Sequence, residues 1–148
     1  MTKRALLFLA AVLVSLHSSA LDLGVVAGSV GRPSSFLYGL SLGSGTFVPL
    51  VKLEFEGTRT SETGWNSLSA AVKVRPKFGR LAPYALLGAG GEFAKLSFRF
   101  SEYDFYTFVG GGLHLFFAPI ISLRADARFL HFSGLNRTRI SGGVFIHL

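Results

Sequence analysis

The sequence predicts an all-β fold, an eight-stranded antiparallel up-and-down transmembrane β-barrel. Eight segments alternate apolar and polar residues with a period of two, which is typical of strands with two unlike faces. Short turns rich in Gly, Ser and Pro separate most of these segments, so consecutive strands can pair as hairpins. Charged residues recur inside nearly every apolar segment, although 49% of all residues are hydrophobic. A barrel with an apolar outside and a polar inside accommodates both features.

Residues 1–20 are expected to form a secretory signal peptide, and residues 21–148 the barrel domain. Lys3 and Arg4 precede an unbroken apolar run, and small residues precede a cleavage site after Ala20. A membrane anchor is the alternative, but the run is shorter than the ~20 residues that a spanning helix requires. The sequence has no cysteine, so the exported chain is held together without disulfide bonds.

The first four strands are expected at residues 21–30, 36–43, 48–57 and 67–75. The third of these segments has the clearest alternation. Its apolar residues alternate with charged ones, Leu53 and Phe55 with Lys52, Glu54 and Glu56. Residues 58–66, which follow it, form the longest polar connection and are expected to be a loop.

The last four strands are expected at residues 83–96, 105–117, 122–132 and 139–148. The final strand ends on an apolar face formed by Val144, Ile146 and Leu148. An unpaired apolar strand promotes aggregation, so this strand needs a partner on each edge, and barrel closure supplies both. An even number of strands places both chain termini on one side of the membrane, expected to be the periplasm.

A soluble barrel of the lipocalin kind is the alternative architecture, with an apolar interior and a charged exterior. Alternation alone does not separate the two, because each has one polar face. The membrane barrel is favoured because the apolar set is large in all eight strands. The polar set also mixes charges with glycines, as a narrow and packed lumen requires.

The polar face of the strands carries five acidic and six basic residues that are expected to face the lumen. They are Asp22, Lys52, Glu54, Glu56, Lys73, Arg75, Glu92, Arg124, Asp126, Arg128 and Arg139. Charges enclosed in a narrow barrel must be paired, and eight strands leave just enough space for side chains. The pattern therefore predicts a plug of ion pairs, with a narrow pore as the alternative.

Aromatic residues gather toward the ends of the segments and predict two girdles at the membrane interfaces. One girdle is expected to contain Phe36, Trp65, Phe98, Phe100, Tyr103, Phe105, Tyr106, Phe129 and Phe132. The other is expected to contain Phe47, Phe78, Tyr84, Phe116 and Phe117. Core packing in a soluble barrel is the alternative explanation for these residues.

The sequence resembles the small outer-membrane barrels of the OmpA/OmpX kind. The resemblance rests on the leader, the eight amphipathic segments, Pro83-Tyr84 before a glycine-rich run, and the closing strand. The resemblance implies residence in the outer membrane, contact with its lipid, and assembly by the barrel-assembly machinery. That machinery would read Val144, Ile146 and Leu148, although Leu148 stands where the family usually has an aromatic residue. The family implies roles in membrane integrity, adhesion or binding of host factors through surface loops, which are short here.

His131 and Ser133 form the one pattern that suggests catalysis. The stretch resembles the His-x-Ser motif of the lipid A 3-O-deacylases, which are also eight-stranded barrels with the serine as nucleophile and the histidine as its base. Both residues fall on the lipid-facing parity. Gly134 follows the serine where that family usually has asparagine, and residues 134–148 contain no acid to orient the histidine. Glu102 and Asp104 are the nearest substitutes.

No metal ion or cofactor is expected. The four histidines, His17, His114, His131 and His147, lack the spacing of metal ligands. Without Lys3 and Arg4 the chain keeps 13 basic and 8 acidic residues, a net charge of +5. This charge suits lipid phosphates, whereas the scattered arginines exclude nucleic-acid recognition. The sequence thus favours a structural or surface-interaction role, with a lipid A acyl hydrolase and a narrow pore as alternatives.

Overall fold

The computed structural model describes residues 21–31, 34–46, 48, 50–94 and 103–148. The expected signal peptide lies outside these residues and stays a prediction. Eight strands make up the described chain. They are β1 (Leu21–Val30), β2 (Ser35–Gly45), β3 (Val51–Thr60), β4 (Asn66–Val74), β5 (Leu81–Phe93), β6 (Asp104–Ala118), β7 (Ile121–Phe132) and β8 (Leu135–His147).

Each strand pairs antiparallel with the next, and β1 pairs with β8 to close the barrel. Closure gives every strand a partner on both edges, so no edge is left to template aggregation. The closed, antiparallel order confirms the predicted fold class and its up-and-down topology. Among the described residues, no helix has the length and apolarity needed to span a bilayer.

Turn geometry accounts for the strand boundaries that differ from the prediction. The final strand begins at Leu135, four residues earlier than expected, because a two-residue turn at Ser133 and Gly134 replaces the predicted loop. Gly134 adopts a φ of 90°, which glycine reaches without steric cost. Strand β3 begins at Val51 rather than residue 48, because the Val51 amide donates a 2.9 Å turn hydrogen bond to the Val48 carbonyl.

The burial pattern decides between a membrane barrel and a lipocalin-like one. Strand β7 alternates exposed and buried residues without interruption along its whole length. The exposed set is apolar, and Leu40, Leu87 and Phe129 are 66%, 65% and 64% exposed. The interior instead contains most of the charged residues of the strands. This inside-out arrangement is stable where the outer wall meets lipid rather than water.

The predicted aromatic girdles are partly wrong. Tyr84, Tyr106, Phe116 and Phe132 are buried inside the barrel, because their parity along β5, β6 and β7 is the inward one. The remaining described members at strand positions, among them Phe36, Phe105, Phe117 and Phe129, are exposed on the outer wall. Phe47, Phe98 and Phe100 lie outside the described residues.

Glycines make room for the interior rings. A Cβ at Gly112 would lie 2.1 Å from the Ala125 carbonyl oxygen and 2.6 Å from the Tyr84 hydroxyl. A Cβ at Gly24 would lie 2.4 Å from the ring of Phe145. Both separations are far below van der Waals contact, so only glycine permits these rings to fill the lumen.

Candidate functional site

A cluster of ion pairs crosses the middle of the lumen between β3 and β7. Glu54 and Glu56 project inward from β3, and Arg124 and Arg128 project inward from β7, because a spacing of two keeps each pair on one face. Arg124 donates through Nη1 to Glu54 at 3.0 Å and through Nη2 to Glu56 at 2.8 Å. Arg128 Nη2 donates to Glu54 at 2.7 Å and to Glu56 at 3.2 Å. Each guanidinium thus bridges both carboxylates.

Two more strands, β4 and β8, complete this cluster. Lys73 of β4 donates to Glu54, and Arg139 of β8 pairs with Glu56 through Nη1 at 2.5 Å. Asp126 accepts from Arg128 Nε at 2.7 Å and from the Tyr84 hydroxyl at 2.5 Å. We call these seven charged residues the central cluster: Glu54, Glu56, Lys73, Arg124, Asp126, Arg128 and Arg139. Every member is at most 4% exposed.

Aromatic rings pack against the cations of the central cluster. The Arg124 guanidinium lies 4.5 Å from the Phe145 ring centre, and that of Arg128 lies 5.3 Å from Phe108. Such contacts strengthen when the cation is removed from water. Rings and ion pairs together fill the cross-section of the barrel. The arrangement pairs each carboxylate of the cluster with at least one cation, so the charges are fixed in place.

Four of the predicted lumen residues lie apart from the central cluster: Asp22, Lys52, Arg75 and Glu92. Arg75 follows β4 at the end of the barrel that carries the termini, where its Nη1 lies 2.9 Å from Asp22. Glu92 lies at the opposite end and accepts from Arg137 Nη1 at 2.9 Å. The predicted lumen charges therefore separate into a central group and one group at each end.

A hydrogen-bonded chain of four side chains lies at the end with the termini. His147 Nδ1 lies 2.6 Å from Asp22 Oδ1, and His147 Nε2 lies 2.7 Å from Ser122 Oγ. Ser122 Oγ lies 2.9 Å from His114 Nδ1. Sequence reasoning missed this chain, although inward parity places each of the four residues in the lumen. Ser122 and His114 are 0% exposed, so the serine has no access to a substrate.

The donors and acceptors of this chain follow from Asp22. An ionised carboxylate only accepts, so His147 Nδ1 carries the hydrogen, and the Nε2 of a neutral ring accepts from the Ser122 hydroxyl. The Ser122 oxygen then accepts from His114 Nδ1–H. Lys52 Nζ also donates a hydrogen bond to Asp22 Oδ2 at 3.1 Å. The chain ties the first strand to the last across the seam of the barrel.

His131 lies on the outer wall, as its parity predicted, whereas Ser133 lies beyond the end of the strand, and the two are not joined to each other. Both are exposed, and Ser133 lies in the turn after β7. His131 Nδ1 instead lies 2.6 Å from Asn136 Oδ1 on β8. Within the described residues, no hydrogen bond links the histidine to the serine. Asp104 begins β6, and Glu102 lies outside the described residues.

Neither a family model nor a curated protein sequence matches the chain. Solved structures do. The N-terminal β-barrel domain of Pseudomonas aeruginosa OprF superimposes with a TM-score of 0.75 at 15% identity, over 88% of this chain and 98% of that domain. The fold is that of the small outer-membrane β-barrels.

Two further outer-membrane barrels share this fold with lower TM-scores. The outer membrane enzyme PagL matches with a TM-score of 0.57 at 19% identity, over 84% of this chain and 98% of its own. The outer membrane protein Ail of Yersinia pestis matches with a TM-score of 0.55 at 16% identity, over 86% of this chain and 99% of its own.

In the described part of the chain, no group of three His, Cys, Asp or Glu residues is placed to hold a metal ion.

Replacing Arg128 by Met is expected to lower the free energy of unfolding by about 3–5 kcal/mol, because three buried carboxylates, Glu54, Glu56 and Asp126, lose a partner. Arg80→Met is the matched control, since Arg80 is exposed in the turn before β5, and its effect should stay within about 0.5 kcal/mol. Urea unfolding of the barrel in detergent micelles measures both. Equal midpoints for the two variants would show that the central cluster is not holding the barrel together.

The hydrogen bonds that link Asp22, His147, Ser122 and His114 predict the Nδ1–H tautomer for both histidines. Imidazole nitrogen chemical shifts of the labelled barrel, recorded at about pH 8 where an ordinary imidazole is neutral, report the tautomer directly. Ser122→Ala should release His114 to the other tautomer and leave His147 unchanged, because Asp22 still accepts from it. A hydrogen on Nε2 of His147 in the unaltered protein would contradict the assignment.

Proposed function

We propose that the protein is an integral outer-membrane β-barrel with a structural or surface-interaction role and a lumen that does not conduct. The central cluster is the observation that carries this proposal. Glu54, Glu56, Arg124 and Arg128 join opposite walls of the lumen in the middle of the strands, and each is almost fully buried. Permeation through the barrel would require these desolvated ion pairs to separate, at a cost of several kcal/mol each.

Export and assembly follow from the two ends of the sequence. Residues 1–20 are proposed to direct export and to be removed. The outward face of β8 presents Val144 and Ile146, with Leu148 just beyond the strand, and these side chains are 45%, 47% and 67% exposed. Exposure on the outer wall makes this face accessible to the barrel-assembly machinery as an assembly signal, and afterwards to outer-membrane lipid.

Short connections favour a structural role over adhesion through large loops. At the end of the barrel opposite the termini, β3 ends at Thr60 and β4 begins at Asn66, so this connection is shorter than the sequence suggested. The connection between β7 and β8 has only two residues. At these two connections a surface ligand would meet short turns, in one of which Glu62 accepts from the Ser35 hydroxyl at 2.7 Å; the connection between Phe93 and Asp104 at the same end is longer and lies mostly outside the described residues.

The refolded protein is expected to migrate differently on a gel before and after boiling, and to give no conductance steps in a planar bilayer. The first result reports a closed barrel that resists detergent, and the second reports the ion-paired lumen. A porin inserted under the same conditions shows that channels are detectable. Reproducible current steps over many insertions would instead support the narrow pore, and the absence of a gel shift would count against the membrane barrel itself.

A second candidate function, hydrolysis of an acyl ester of lipid A, is favoured by the hydrogen bond between His131 and Asn136. An amide oxygen only accepts, so the bond fixes the hydrogen on Nδ1 and leaves Nε2 as a base. Asn136 thus supplies the orienting group that the sequence seemed to lack. In the reaction, Ser133 Oγ would attack the ester carbonyl while its proton passes to His131 Nε2 and then to the leaving alcohol, which leaves an acyl-serine. Water, deprotonated by the same Nε2, would then attack the acyl-serine and release the fatty acid, and the proton would return to Ser133 Oγ.

Mass spectra of lipid A incubated with the barrel test this candidate. Loss of one acyl chain should occur with the unaltered protein and should disappear with His131→Ala and with Ser133→Ala. Asn136→Leu, which removes only the orienting oxygen, should slow the reaction by several orders of magnitude, as tautomer loss does in other serine hydrolases. Unchanged lipid A in every sample would leave His131 and Asn136 as a polar pair on the outer wall.

A further inference from the structure

The outer wall of β3, β4 and β5 carries a strip of small residues between large ones. Gly57, Ala70, Ala89 and Gly91 face outward, and we call this strip the outer trough. The register places Gly57 beside Leu40 and Leu68, and Gly91 beside Leu68 and Phe105. Phe55 lies beside Ala70, which in turn pairs with Ala89. Large side chains therefore border a floor that has few atoms beyond Cβ.

The outer trough is an open concavity of about 1020 Å³. A second concavity of about 790 Å³ adjoins it and shares Leu40, Gly57 and Leu68. Sites that bind small molecules have volumes of roughly 300–1,000 Å³. The adjoining concavity continues toward the loop end of the barrel, where its lining becomes polar with Arg59 and Asn66.

Arg59 lies at the loop end of the adjoining concavity and makes no ion pair with any described residue. It pairs in register with Tyr38 on one side and Asn66 on the other. Its Nη2 lies 3.7 Å from the position of a Cβ on Gly64, so the guanidinium extends beyond the strand toward the turn. Glu62, the acid of that turn, is engaged by Ser35. An exposed cation thus lies at the end of the strand, which is where the proposed membrane location would put lipid headgroups.

We propose that the outer trough binds one phosphorylated lipid of the leaflet on the loop side, with an acyl chain along Gly57 and Gly91 and a phosphate on Arg59. This inference rests on the proposed membrane location. The apolar floor suits a hydrocarbon chain, and a guanidinium forms charge-assisted hydrogen bonds to phosphate. Tyr38 and Asn66 flank the arginine and supply further polar contacts to the headgroup.

Native mass spectrometry of the barrel in detergent, titrated with bis-phosphorylated lipid A and with dephosphorylated lipid A, tests the site. Arg59→Gln should weaken binding of the phosphorylated lipid about fivefold, the effect of one surface arginine near an anionic headgroup, and leave the dephosphorylated lipid unaffected. Gly57→Leu should weaken binding of both lipids, because its side chain fills the trough.

Two control variants match these substitutions. Arg80→Gln removes an exposed arginine at the opposite end, and Gly142→Leu adds a side chain to an outward glycine of β8, where a Cβ meets only the Arg124 carbonyl oxygen at 3.4 Å. Both should bind as the unaltered protein does. Equal binding by Arg59→Gln and Arg80→Gln would overturn the proposal. A boiling-dependent gel shift in every variant separates that outcome from failure of the membrane barrel.

Discussion

Charge compensation inside the lumen is the constraint on which the rest of the structure depends. Glu54 and Glu56 are removed from water, and each requires a cation within hydrogen-bonding distance to remain ionised. Arg124 and Arg128 meet both carboxylates only when β3 and β7 face each other across a closed barrel. Closure and ion pairing therefore require one another, and a slip of one residue in register would send these charges to the lipid side.

Closure is also secured at the seam between β1 and β8. Backbone hydrogen bonds join Leu21 and Leu148 in both directions, at 3.0 and 2.8 Å. Asp22 and His147 add a side-chain link at the same level, and Lys52 connects Asp22 to β3. Residues that are far apart in sequence thus meet in one cluster, which makes the seam specific for a single register rather than merely paired.

Period-two parity predicts much of this molecule from sequence, because it depends only on neighbouring residues. It assigns Glu54 and Arg128 to the lumen, and the number of strands follows from counting the alternating segments. Partner choice is different, because it depends on register between strands that lie far apart in the chain. Asn136 illustrates this, since its contact with His131 arises from a turn of two residues that the sequence suggested to be a longer loop. Tyr84 was misplaced because its position near a strand end outweighed its inward parity.

The inner wall encloses polar side chains that pair with one another, whereas the outer wall is mostly apolar. This division decides which polar groups are available to bind another molecule. In the lumen, polar groups such as Arg124 and Asp126 are committed to one another, so they stabilise the barrel and leave little capacity to bind anything else. On the described outer wall, by contrast, polar side chains are exposed to the surroundings of the barrel. Arg59 and His131 belong to this second class, and neither has an ion pair within the described chain. Because hydrocarbon cannot satisfy a donor, the lipid site proposed at Arg59 would place a phosphate against a guanidinium that has no ion pair within the described chain.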